Sequence, residues 1–305
     1  MAAAGGGILN SARKLQQMEL SELYDKAAAR LEEVRSYGTG AIEIKSGYGL
    51  TTESEIKMLR VIRKLKNNYR MPVKATFLGA HAIPAEYKNN RPGYIRLIIE
   101  EMLPCIADEG LADYIDVFCD TGFFTVEETD TLLQAAARYG LKPKIHANEL
   151  ANSGGVQVGV KNNAISVDHL EQIGDAEIDC LLHSNTLPVA LPSCSFFLNI
   201  PYAPARKIID AGLPLVLASD YNPGSTPSGK IPFVIALACT QMRMTPEEAI
   251  NAVTINGARA MESDGEVGTI CIGKRANLII TNPMENVSFI PYAFGSNHID
   301  KVIIS

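Results

Sequence analysis

The sequence predicts an α/β fold: a (β/α)8 TIM-like barrel lacking its first strand, followed by the remnant of a small β-sandwich domain. Three observations predict it. Short apolar, β-branched runs recur at residues 41–44, 73–78, 114–118, 144–146, 164–167, 187–191 and 213–218. Segments of helical period separate most of them, and strands alternating with helices argue for a parallel sheet covered by helices. The chain's first periodic segment is a helix over 20–37 rather than a strand, so seven units stand where a closed barrel wants eight. A doubly wound open sheet also accommodates seven strands, and periodicity by itself does not separate the two. The expected division is a barrel domain over 1–261 and C-terminal strands of a small β-domain over 262–305.

Taken in order, the first helix shows its apolar stripe at Leu20, Leu23, Ala27, Leu31 and Val34. Thr52-Glu53-Ser54-Glu55 and Thr125-Val126-Glu127-Glu128 fit the capping box, hydroxyl and carboxylate satisfying orphan amides at a helix start. Ile56, Leu59, Ile62 and Leu65 form one stripe, and Leu132, Leu133, Ala136 and Tyr139 another, with Gly140 as a stop signal. After Thr240 the pattern changes. Thr245-Pro246-Glu247-Glu248 opens another helix with a hydroxyl cap and Pro at the first helical position. Residues 266–280 read as two short strands around a Gly273-Lys274 turn, and 302–304 as a third.

A net charge of −6 and scattered Lys and Arg give nucleic acid no basic footprint. Arg60, Arg63, Lys64 and Lys66, the densest basic group, read as one solvated helix face. Six cysteines without a C-x-x-C pair read as free thiols in a reducing compartment. No apolar run reaches the roughly 18 residues that cross a bilayer. The opening Met-Ala-Ala-Ala-Gly-Gly-Gly is neither a secretory nor an Arg-rich transit signal, so the expected location is the cytosol.

The chemistry follows the strands. After the first run comes Lys45-Ser46-Gly47-Tyr48-Gly49, and after the second Gly79-Ala80-His81. Then come Cys119-Asp120, His146-Ala147-Asn148-Glu149, Asp168-His169, Ser193 with Ser195, and Ser219-Asp220-Tyr221-Asn222-Pro223-Gly224-Ser225. Three of five histidines lie at strand ends, which a barrel gathers at one mouth. His146, Glu149 and Asp220 offer an imidazole and carboxylates of the kind a catalytic zinc or iron accepts. Each has a plainer reading: a structural histidine, or, for Asp220, a turn cap. Asp168 could orient His169 or a backbone amide. The segment from Asn222 to Gly229 can expose amides to a carboxylate or phosphate, or be an ordinary surface loop. His183 and His298 fall outside the pattern and are expected to be structural.

At these residues the chain resembles the imidazolonepropionase family of the amidohydrolase superfamily. The likeness rests on Glu43 to Leu50, Thr76 to His81, Lys144 to Glu149, Val167 to Leu170 and Ala218 to Gly224, and covers nearly the whole chain. Thr254 to Met261 and Gly268 to Ile280 resemble the superfamily's closing helix and β-domain strands. The resemblance implies one divalent or trivalent metal ion, zinc or iron, with His146 and Asp220 as ligands. It implies substrate contacts at Tyr48, His81, Glu149, Asn222, Gly224 and Ser225, with His169 facing the scissile carbonyl. Catalysis would fall to His169, Asp220 and Glu149. The implied reaction opens the ring of 4-imidazolone-5-propanoate to N-formimidoyl-L-glutamate, in histidine breakdown. The partner is a small molecule, with no nucleic acid and no membrane, and a homodimer is compatible.

The chain departs from that family in having no His-x-His, which the family uses for two metal ligands. An Arg that binds substrate in the family and two early β-domain strands also lack counterparts. The expectation is an N-terminally shortened form that holds metal poorly and turns over slowly. Two other readings are a different cyclic-amide hydrolase or aminohydrolase of the superfamily, and a non-catalytic chain.

Overall fold

In the computed structural model the described residues are 8–305; the opening segment 1–7, read above for export signals, lies outside them. Seven parallel strands form one sheet in sequential order: β1 (Ile42–Lys45), β2 (Val73–Ala80), β3 (Tyr114–Cys119), β4 (Lys142–Ala147), β5 (Ser166–His169), β6 (Leu187–Ala190) and β7 (Val216–Leu217). Every run expected from the sequence is a strand, although the last shrinks to two residues. Among the described residues β1 pairs with β2 alone and β7 with β6 alone, so the curled sheet has two edges. The arrangement is that of a barrel without one of its eight strands.

Alternation along the strands sorts the side chains. On β3, Ile115, Val117 and Cys119 join the apolar cluster between sheet and helices, alongside Leu132, Leu133 and Ala136 of the helix Val126–Ala137. The other face of β3 carries Tyr114, Asp116 and Phe118. The same alternation sends Ile145 and Val167 outward and Lys144, His146, Ser166 and Asp168 inward. Large side chains such as Phe77, Leu59 and Leu103 are fully buried. Burial of that kind contributes about 1.5–3 kcal/mol per side chain.

The inner face divides in two. Beneath β6 and β7 it is apolar, with Leu187, Val189, Leu191 and Val216 around Cys194. Beneath β1 to β5 it is a buried ionic lattice. The Lys45 ammonium lies 2.7 Å from Glu43, 2.8 Å from Asp116 and 3.4 Å from Asp168. The Lys144 ammonium lies 2.7 Å from the other oxygen of Glu43, while the Thr76 hydroxyl donates at 2.6 Å to the oxygen that faces Lys45. Burial would raise the Glu43 carboxyl, but Lys144 and Lys45 outweigh it and hold the group at about 2.

Two local expectations are corrected. The helix Thr52–Asn68 is capped by Thr51, whose hydroxyl accepts from the Ser54 amide at 3.2 Å, and not by Thr52. Glu55 is thereby free for another task, described below. The capping boxes at Thr125 and Thr245 form as expected. At the C-terminus the three expected strands are two: β8 (Leu278–Thr281) and β9 (Ile299–Ile303) pair antiparallel. The first half of 266–280 makes no strand because, among the described residues, no strand lies beside it, and Ile270 and Ile272 are exposed.

Candidate active site

The loop after β1 is built by two glycines and one carboxylate. Gly47 has φ +106°, which favours glycine, and a Cβ on Gly49 would lie 2.5 Å from the Glu55 amide nitrogen. Glu55, buried, accepts from the amides of Gly47, Gly49 and Leu50 at 3.0, 2.7 and 2.9 Å. This clamp fixes Tyr48, whose ring stands edge-on to His81 at 5.1 Å between centres. The Tyr48 hydroxyl lies 3.3 Å from Asn222 Oδ1, which bridges the loops after β1 and β7, the two edges of the sheet. Burial, then the charge of Asp220, pushes the Tyr48 hydroxyl well above its ordinary value, so it stays a donor.

From Tyr48 and His81 the rings continue inward. His81 and His146 are 6.1 Å apart and His146 and His169 5.1 Å, so residues at the ends of β1, β2, β4 and β5 form one cluster. His81 Nδ1 lies 3.0 Å from the Gly47 carbonyl, to which it donates. Burial, then the neighbouring His146, lowers His81 to about 4; it is neutral, with Nε2 an acceptor. His146 Nδ1 is held by Asp116 at 3.1 Å, and Asp116 also accepts the His146 amide. Burial would raise Asp116, but His146 and then Lys45 hold its carboxyl far below the usual range.

His169 needs a backbone exception. Simple alternation would send it outward with Val167, yet its φ of +86° and that of Leu170 at +70° turn the chain at the strand end. Its Nε2 comes within 3.7 Å of Glu149 and its Nδ1 within 3.7 Å of Glu171. Burial opposes protonation of His169, but Glu149, Cys194 and Glu171 raise its pKa well above the ordinary value. Burial raises the carboxyl of Glu149, which suits it to carry a proton. Asn148 and Asp220 also have positive φ, +56° and +53°. Non-glycine strain at the ends of three strands points to function at this rim.

The Glu149 loop is held from beneath, as the amides of Glu149, Leu150 and Ala151 donate to Asp120 at 2.9, 2.9 and 3.2 Å. After β7, Asp220 accepts the hydroxyls of Ser225 (3.0 Å) and Thr226 (3.3 Å). The amides of Gly224 and Ser225, expected to be free for a substrate carboxylate, donate instead to Asn222 Oδ1 at 2.7 and 2.8 Å. His183 lies on the surface bonded to the Asp179 carbonyl, and His298 to the Ala293 carbonyl, both structural as expected.

For a metal ion the donors fit in part. His146, anchored through Nδ1 by a carboxylate, leaves Nε2 to ligate, the arrangement usual for metal-bound imidazole. Asp220 engages the two hydroxyls through Oδ2 and keeps Oδ1. One imidazole and one carboxylate fall short of the three protein ligands of a catalytic zinc. Asp116, His146 and Asp168 also stand as a three-donor group, but the Lys45 ammonium already bridges both of its acids.

Lys45, Asp116, Glu171 and Cys194 were not singled out as site residues by sequence reasoning. Asp116 had a readable signal, a carboxylate at the inward position of the apolar run Tyr-Ile-Asp-Val-Phe-Cys. Cys194 had none, since it lies one turn into the helix Pro192–Leu198 and meets Glu149 only through the fold, at 3.9 Å.

The pattern of the amidohydrolase family matches residues 39–305. The imidazolonepropionase of Christiangramia forsetii is 59% identical over all of this chain and 74% of its own length. That of Flavobacterium johnsoniae is 60% identical over the same shares, and that of Alkaliphilus metalliredigens 42% over 99% and 71%. Among solved structures, 5-methylcytosine deaminase from Klebsiella pneumoniae superposes with a TM-score of 0.79 at 16% identity, over 99% of this chain and 78% of that one. An atrazine chlorohydrolase from Arthrobacter aurescens, complexed with zinc, gives 0.79 at 13%, over 100% and 76%. At such identities these two carry the fold only. The chain therefore belongs to the amidohydrolase family and, within it, to the imidazolonepropionases.

Proposed function

We propose that this chain hydrolyses the ring amide C–N bond of 4-imidazolone-5-propanoate to give N-formimidoyl-L-glutamate. The observation that carries the reading is the joint one. A sequence 59% identical to an imidazolonepropionase brings His81, His146, His169, Glu149 and Tyr48 into one cluster.

In this reading His169, held as an imidazolium, donates to the carbonyl oxygen and stabilises the charge that develops there. Asp220 takes the proton of the attacking water. Glu149 delivers a proton to the departing ring nitrogen. Neutral His81 and the Tyr48 hydroxyl orient the ring from the β1 and β2 side. A propanoate seated at Gly224 and Ser225 takes over the two amides that Asn222 now holds, with Asn222 rotating toward substrate. His146 and Asp220 would hold one zinc or iron ion, which when bound supplies Lewis-acid chemistry that brings the pKa of water from about 15.7 toward 7.

The test is to load the 305-residue chain with graded zinc or iron and measure both bound metal and substrate loss. With two donors from these residues the site fills only partly, and at low loading the rate rises with bound metal. A rate independent of bound metal, or no product at any loading, overturns the proposal.

A further inference from the structure

We propose that Glu149, His169 and Cys194 form a second cation site, for a thiophilic divalent ion such as zinc, and that filling it shuts off the pocket. The inhibitory part rests on the reading of His169 and Glu149 as working residues; the binding part does not.

The three side chains are buried and each offers a different kind of donor, the three donor atoms lying within 4.8 Å of one another. His169 Nε2 is 3.7 Å from Glu149 Oε2, and Cys194 Sγ is 3.9 Å from Glu149 Oε1. Zinc bound tetrahedrally to sulfur, nitrogen and oxygen sets neighbouring donors about 3.3–3.7 Å apart. Side-chain shifts of at most about an ångström therefore close the set.

A second observation points the same way. His169 Nδ1 and Glu171 Oε2 face each other at 3.7 Å, and neither has a hydrogen-bond partner although both are buried. A carboxylate behind the far nitrogen of a histidine is the outer support that ligating imidazoles use. Drawing His169 toward a cation at Nε2 would let Nδ1–H and Glu171 settle into a bond that they do not make now. On entry of the ion the Cys194 S–H proton and the Nε2 proton of His169 pass to solvent, leaving thiolate and imidazole on the metal. The ligand set of sulfur, nitrogen and one oxygen selects zinc, cadmium or cobalt over magnesium, which demands oxygen donors. The other three-donor group among the described residues carries no such vacancy, because Lys45 stands among its acids.

Cobalt(II) reports on the site directly, because a cobalt–thiolate bond gives a charge-transfer absorption that neither His146 nor Asp220 can produce. Titrated into the 305-residue chain, cobalt should raise this band, and zinc but not magnesium should abolish it. In Cys194→Ala, checked for native circular dichroism, the band should be absent. Glu171→Gln should retain it with affinity weakened about tenfold to a hundredfold. Zinc beyond the amount that supports turnover should inhibit the parent chain and spare Cys194→Ala. A folded parent with no band, a band that survives in Cys194→Ala, or equal inhibition of both chains overturns the proposal. Turnover without a band would sink this inference and leave the hydrolase reading standing; a Cys194-dependent band, with no turnover in either the parent or Cys194→Ala at any zinc or iron loading, would do the reverse.

Discussion

Two buried histidines, His146 and His169, face each other across 5.1 Å, and both sit among carboxylates. Around His146 every charge is answered. Asp116 takes its Nδ1 and its amide, Lys45 neutralises Asp116 and Asp168, and Ser166 donates to Asp168 at 2.7 Å. Around His169 the accounts stay open. Nδ1 and Glu171 Oε2 lack partners, Glu149 stands 3.7 Å away, and the backbone is left-handed. A saturated lattice holds a shape; an under-bonded cluster keeps donors and acceptors for something else. The difference leaves His146 rigidly oriented, with Nε2 available to a metal ion, and His169 with hydrogen-bonding capacity still unused.

The comparison is broken most forcefully at the rim. Asp220→Asn, assayed at equal bound metal, should lower turnover by about two to four orders of magnitude if Asp220 is the base. Near-normal rates remove it from that role. A lesser but still large effect is expected in the lattice. Asp116→Asn takes a charged partner from Lys45 and weakens the bond to His146 Nδ1, at a cost of about 3 kcal/mol in urea unfolding. A change within about 0.5 kcal/mol would show that the lattice does not hold the frame.

Acid should find the same lattice. Folding lowers the Glu43 carboxyl from 4.5 to about 2, a gap that corresponds to roughly 3 kcal/mol. A depressed carboxylate contributes its stability above its unfolded value and loses it as pH falls through the folded one. Stability should therefore decline from about pH 5 toward pH 2, and Glu43→Gln should flatten that slope while lowering stability at neutral pH. An unchanged slope contradicts the assignment. The smallest effect belongs to the β1 loop. Glu55→Gln cannot accept all three amides, should cost about 1–3 kcal/mol, and should raise KM more than it lowers kcat by loosening Tyr48.

Much of this frame was legible in the sequence because periodicity reports burial, and all seven parallel strands were marked by apolar runs. Strand ends could be listed in the same way, which is how Tyr48, His81, His146, Glu149, His169 and Asp220 were found together. What was not legible depended on contacts between distant segments. Lys45 meets Asp116 and Asp168 across 71 and 123 residues, and no local pattern announces such a meeting. Glu55 looked like a capping residue because Thr52 precedes it by three, whereas Thr51 takes the cap and releases the carboxylate to the loop. Residues 266–272 carry a strand's composition but lack a neighbouring strand, and composition does not supply one.

The claim that the two histidines do different work is tested most directly by His169→Gln, with turnover per bound metal and unfolding free energy measured on the same preparation. Product formation per folded chain should fall about a hundredfold or more, with a stability loss of no more than about 3 kcal/mol, because Glu149 and Glu171 lose the cation between them. A variant that keeps its rate, or that loses its rate only by unfolding, would contradict it.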